Sequence, residues 1–85
     1  MTYKIEFTEE AEDQLSLIPK GEAKKIVRRV EKLANEPFPP KCEKLKGQEE
    51  VYRVRQGDYR ILYSVIEKKL VVLVLKIGHR REVYR

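Results

Sequence analysis

Met1 to Phe7 alternates, with Tyr3, Ile5 and Phe7 on one side and Lys4 and Glu6 on the other, the two-residue period of a half-buried strand. Thr8 follows as a helix N-cap, and Glu9 and Glu10 fall in the first turn, where the helix dipole favours anions. Ala11, Leu15 and Ile18 then recur at helical spacing. Pro19 suits the first turn of a second helix, because its fixed φ fits and its missing N–H would have no partner there. In that helix Ala23, Ile26, Val27, Val30, Leu33 and Ala34 form one apolar stripe with Lys and Arg opposite. The pattern predicts a helical hairpin. Its end is set by NEPFPPK, Asn35 to Lys41, where three prolines stop a helix and make a rigid connector.

Alternation returns at Val51 to Arg55, and Gln56, Gly57 and Asp58 supply turn chemistry before Tyr59 to Ile66, so a β-hairpin is expected. Glu67, Lys68 and Lys69 mark a second polar turn. Leu70 to Ile77, LVVLVLKI, is apolar on both faces, as a central strand is, and Gly78 ends it before a short charged tail, HRREVYR. The order strand, helix, helix, strand, strand, strand predicts an α+β fold. Its N-terminal strand and helical hairpin belong to a mainly antiparallel four-stranded sheet, with the hairpin on one face, the first strand at an edge and a short C-terminal tail.

Composition narrows what such a fold can do. At 85 residues the chain has room for one domain and one core, and no spare interior for haem, flavin or a dinucleotide. No apolar run reaches the roughly 18 residues of a membrane span, and the start lacks the apolar stretch of a signal peptide. A single cysteine, Cys42, excludes an internal disulfide and a cysteine-based zinc site, so it reads as structural and a reducing cytoplasm is expected. No metal or cofactor is expected.

The net charge of +5 is unevenly placed: residues 51–85 hold nine basic and three acidic side chains, whereas residues 1–50 are close to neutral. Six of the nine are arginines, whose planar fork suits phosphate, so a polyanion is the first partner to consider. Strand alternation sets their direction. Tyr52 and Val54 share a face, leaving Arg53 and Arg55 on the other; Ile61, Tyr63 and Val65 share a core face, which sends Arg60, Leu62 and Ser64 to join the arginines. Asp58, Glu67 and Glu82 are too few to neutralise this segment, and phosphate would supply the missing anions.

The runs KLKG (Lys44 to Gly47), YRVR (Tyr52 to Arg55), GDYRILY (Gly57 to Tyr63) and LVVLVLKIGHRREVY (Leu70 to Tyr84) resemble, in order and spacing, the RelE branch of the RelE/ParE toxin superfamily. The resemblance covers essentially the whole chain. It implies a toxin of a type II toxin–antitoxin system, an endoribonuclease that enters the ribosomal A site and cleaves messenger RNA by 2′-hydroxyl attack without a metal. The partners it implies are a cognate RelB-like antitoxin, the ribosome and mRNA; the toxin alone would be monomeric and would form a heterocomplex with its antitoxin. A ParE-like inhibitor of DNA gyrase without nuclease chemistry, or an inactive RNA-binding relative, are the alternatives.

Position by position, the resemblance implies that Arg53 and Arg55 bind phosphate and take part in proton transfer, that Arg60 and Arg80 stabilise the transition state, and that Tyr84 stacks on a base and orients the attacking hydroxyl. Lys46 and Arg81 would contact RNA or ribosome. The paired strand positions are lysines in well-studied members; here both are arginines, which hold charge but make poor bases. His79, the only histidine, is therefore a candidate for proton transfer. Leu62, Val72 and Val74, if they share the arginine face, would offer surface to an antitoxin helix.

Overall fold

The computed structural model describes residues 2–45, 47 and 50–79. The elements in chain order are β1 (Lys4–Phe7), α1 (Glu9–Ser16), α2 (Lys20–Leu33), β2 (Glu43–Lys44), β3 (Val51–Gln56), β4 (Tyr59–Ile66) and β5 (Val71–His79), with a single 3₁₀ turn at Glu67–Lys69. The strands form one five-stranded sheet in the order β1-β5-β4-β3-β2. The expected α+β arrangement with a mainly antiparallel sheet is present, with one correction. The sheet has five strands, because the two-residue β2 pairs antiparallel with the edge of β3; its one parallel pair is β1 with β5. Two residues carry no readable alternation, which is why β2 is invisible in the sequence.

Both helices pack on one sheet face. The buried cluster joins Ala11 of α1 and Ile26, Val30 and Leu33 of α2 to Val54, Ile61, Tyr63, Val65, Val72, Val74 and Ile77 of the sheet. Burial of the larger aliphatic side chains, at roughly 1.5–3 kcal/mol each before entropy is counted, drives the hairpin onto the sheet. Val72 and Val74 thus face the helices, not the arginine side. The expectation that they offer surface to a partner is wrong: a strand apolar on both faces gives no alternation to read, and only the register with β4 decides.

Three local devices position the ends of β5. Thr8 accepts a hydrogen bond from the Ala11 N–H (3.1 Å) as N-cap and donates its hydroxyl to the Leu75 carbonyl (2.9 Å). The Gln14 Oε1 accepts from the Ile77 N–H at 2.7 Å. Strand β1 pairs only as far as Val74, so α1 takes over the hydrogen-bonding edge of β5 where β1 ends. A bulge at Leu62/Tyr63 shifts the β4–β5 register by one residue, and β5 continues through Gly78 to His79 where the sequence suggests that it stops. Among the described residues no helix is long and apolar enough to cross a membrane.

Tyr63 ties the connector to the core. It is fully buried, and its hydroxyl donates to the Pro37 carbonyl at 2.7 Å. Burial pushes its phenol well above the usual tyrosine range, and the neighbouring Cys42 adds to the shift. Phe38 packs edge-on against Tyr52, ring centroids 5.0 Å apart. The proline-rich segment is thereby held over the β3–β4 core and delivers β2 to the edge of β3.

Candidate functional site on the open sheet face

The period of two within each strand, combined with the pairing register, assembles the site. Arg53 lies opposite Leu62 and Arg55 opposite Arg60, so the three arginines occupy the face turned away from the helices. On β5, Gly78 lies opposite Arg60 and Lys76 opposite Leu62. Glycine brings no side chain to the position beside Arg60. The face therefore presents three guanidinium groups on two adjacent strands, with Lys76 on the third.

Their environments differ. Arg53 and Arg60 are only 7% and 8% exposed, unusual for charged side chains, while Arg55 is open to solvent. Arg53 donates from Nη2 to the Glu43 Oε2 at 2.8 Å, a charge-assisted hydrogen bond. Arg55 Nη2 stands 3.9 Å from Glu43 Oε1, attracted but too distant to bond. Both pairs follow from β2, whose register sets Glu43 opposite Arg53. The ammonium of Lys76 lies 4.0 Å from Glu10 in the first turn of α1, at the α1 side of the sheet.

Arg55 and Arg60 are cross-strand neighbours of like charge, an arrangement that costs free energy unless an anion lies between or beside them. Among the described residues two acids share the strand positions of this face, Glu43 of β2 beside Arg53 and Glu6 of β1, whose register partner is Leu73. The Glu43 carboxylate bonds Arg53 and stands near Arg55, and the positive charge of the three arginines sits on rigid strands, where its direction is fixed. Such a face can hold a phosphate and stabilise charge that builds on it.

His79 goes elsewhere. Its register partner is Tyr59, which packs against the core, and the two rings meet edge-on with centroids 5.9 Å apart. The imidazole thus stands on the helix side of the sheet, across the β-layer from Arg53, Arg55 and Arg60. Lys46, Arg80, Arg81 and Tyr84 lie outside the described residues. Glu43 is the site residue that sequence reading missed; the signal was its place just before KLKG, yet only pairing with β3 shows that it meets the arginines.

The family model described as ParE toxin of type II toxin-antitoxin system, parDE, matches residues 5–84. A protein designated RelE1 from Methanocaldococcus jannaschii is 31% identical over 88 residues, spanning 100% of this chain and 98% of that protein. The mRNA interferase toxin RelE of Escherichia coli K12 is 28% identical over 88 residues, spanning 99% and 92% of the two chains. In three dimensions, a chain of the archaeal RelE–RelB complex from Pyrococcus horikoshii superposes with a TM-score of 0.82 at 32% identity, covering 96% of this chain and 99% of that one.

Proposed function

This chain belongs to the RelE family of type II toxin–antitoxin toxins within the RelE/ParE superfamily, and we propose that it is a ribosome-dependent endoribonuclease, an mRNA interferase that cleaves messenger in the ribosomal A site. The observation that carries the reading is the placement of Arg53, Arg55 and Arg60 together on the sheet face turned away from the helices. A pentacoordinate phosphorane gains negative charge as the 2′-oxygen attacks, and fixed guanidinium donors stabilise that charge more than they stabilise the starting phosphodiester. Holding the 2′-oxygen, phosphorus and 5′-oxygen in line supplies most of the remaining acceleration, so the reaction proceeds without a metal. The name of the E. coli relative, mRNA interferase toxin, supports the same reading.

Arg80 and Tyr84 complete the proposal on sequence grounds: Arg80 adds charge at the phosphorane, and Tyr84 stacks on a base beside it. Lys46 and Arg81 contribute contacts to RNA or ribosome, where each phosphate met by a cation adds salt-dependent affinity. The regular partner is a RelB-like antitoxin, as the RelE–RelB assembly of the P. horikoshii neighbour suggests. With Val72 and Val74 turned into the core, the half-buried Leu73 and Ile66 are apolar positions on the arginine side that an antitoxin segment would meet. The protein acts in the cytoplasm, where its substrate is.

The match to the ParE toxin family supports a second reading, which we take to be a ParE-like inhibitor of DNA gyrase without nuclease chemistry. A purely protein-directed inhibitor has no need of three arginines concentrated on one sheet face. Primer extension on a translated message, with and without the protein, separates the two. Cuts at defined positions within codons are expected; intact message together with trapped gyrase–DNA complexes would establish the second reading.

A further inference from the structure

The nuclease reading leaves the departing 5′-oxygen without a proton. That oxygen leaves phosphorus as an alkoxide, which departs slowly unless an acid protonates it as the bond breaks. Arg53, Arg55 and Arg60 hold charge but release no proton at any ordinary pH, and the His79 imidazole stands on the other side of the sheet. An ammonium does exchange its proton. Two strand lysines of the described residues lie on the arginine face: Lys4 of β1, opposite Val71 at the far end of β5, and Lys76, opposite Leu62 and so diagonally beside Arg60. We infer that Lys76 is the proton donor to the leaving 5′-oxygen; the inference rests on the nuclease reading above.

Register and sequence both single it out. Arg60 pairs with Gly78 and Leu62 with Lys76, so Arg60 and Lys76 are diagonal neighbours on one face, about 7 Å apart at their Cβ atoms and within reach of a four-carbon stem. Gly78 leaves the position beside Arg60 without a side chain. A nucleotide departing from a phosphate held by Arg60 therefore has room over β5, next to Lys76. In the run Leu70 to Ile77, LVVLVLKI, Lys76 is the one charged residue, and lysine is a poor strand former in the middle of an otherwise apolar strand. Its side chain is free to move. It is half exposed, and its ammonium stands 4.0 Å from Glu10 in the first turn of α1, too far for a hydrogen bond and, on an exposed pair, a weak tether. A phosphate gathered by the arginines carries charge enough to draw the ammonium across from the β5 edge.

In the step itself, the 2′-oxygen forms its bond to phosphorus while its proton passes to water. The bond from phosphorus to the 5′-oxygen breaks with its electron pair on that oxygen, and the Lys76 ammonium gives that oxygen a proton, making the 5′-hydroxyl. A 2′,3′-cyclic phosphate remains, and solvent reprotonates the neutral amine. Arg53, Arg55 and Arg60 hold the phosphoryl oxygens throughout.

The test uses the full chain on programmed ribosomes with two messages, one ordinary and one carrying sulfur in place of the bridging 5′-oxygen at the cleaved bond. A thiolate leaves without a proton, so the sulfur message needs no acid. Lys76→Arg keeps the charge of the side chain but cannot give up a proton. It should slow single-turnover cleavage of the ordinary message by about a hundredfold or more, yet cut the sulfur message within about threefold of the unmodified protein's rate. The second result also shows that the variant is folded and bound. Arg60→Ala, whose lost charge acts on the phosphorane, should be slow on both messages. Cleavage of the ordinary message by Lys76→Arg within about threefold of the unmodified protein would mean that charge alone suffices, and overturns the inference. Equal slowing on both messages would make Lys76 a binding residue and overturns it as well; either outcome leaves the nuclease reading standing. Failure of the unmodified protein to cut either message overturns both.

Discussion

Replacing Tyr63 by Phe removes one oxygen from the middle of the fold, and its effect should change with pH in a way the structure specifies. The hydroxyl is fully buried and donates to the Pro37 carbonyl at 2.7 Å. Without it the carbonyl loses its partner in a partly dry site, a cost of about 1–2 kcal/mol. For a chain of 85 residues, with an unfolding entropy of about 2.1 cal/mol/K per residue, that corresponds to a Tm lower by roughly 6–11 °C near neutral pH. Alkali closes the gap. Burial raises the Tyr63 phenol well above its ordinary value, so the folded protein keeps this proton while the unfolded chain releases it above pH ~10. A raised folded value means stability that is complete below the unfolded pKa and declines as pH rises towards the folded one. The decline is about 1.4 kcal/mol per pH unit for one group, and Tyr63→Phe lacks it. Contributions common to both proteins cancel in the difference. The 1–2 kcal/mol deficit of the variant should therefore shrink to about zero near pH 11. Urea unfolding of both proteins at pH 8, 10 and 11 measures it. A deficit that stays constant across that range would refute the assignment of Tyr63 as a buried, proton-retaining phenol.

The remaining expectations concern the site and its support. Arg60→Ala should lower the cleavage rate more than about tenfold while leaving the circular dichroism spectrum unchanged, because it removes one cation aimed at the phosphorane; wild-type rates in a primer-extension time course would detach Arg60 from the chemistry. His79→Gln should cost less than about threefold and leave the shape of the pH–rate profile intact, since the ring lies across the sheet from the arginines; a hundredfold loss with an altered profile would show the imidazole reaching the substrate. Thr8→Ala should destabilise by about 1–2 kcal/mol, because it loses both the cap to Ala11 and the bond to the Leu75 carbonyl; an unchanged denaturation midpoint would mean that α1 does not need this anchor.

Local chemistry in the sequence determined a large part of this protein. Helices start and stop where Thr8, Pro19 and the proline-rich connector dictate, because caps and missing N–H groups act within a few residues. The faces of β3 and β4 were legible for a similar reason. Polar and apolar residues alternate there, so the direction of Arg53, Arg55 and Arg60 follows from the pleat alone. Tertiary structure decided whatever depends on pairing between distant segments. Strand β5 is apolar on both sides, so nothing local distinguishes Val72 and Val74 from Leu73; the register with β4, shifted by the bulge, turned the valines into the core. His79 took the helix side because β5 runs on past Gly78 in register with Tyr59. Glu43 entered the site because a two-residue strand, delivered by a connector anchored through Pro37 to Tyr63, pairs with β3. A period of two needs several residues of contrast to be read, and a pairing partner has no local signature at all. The cations of the site were thus written along the chain, whereas the carboxylate that meets them was placed by the fold.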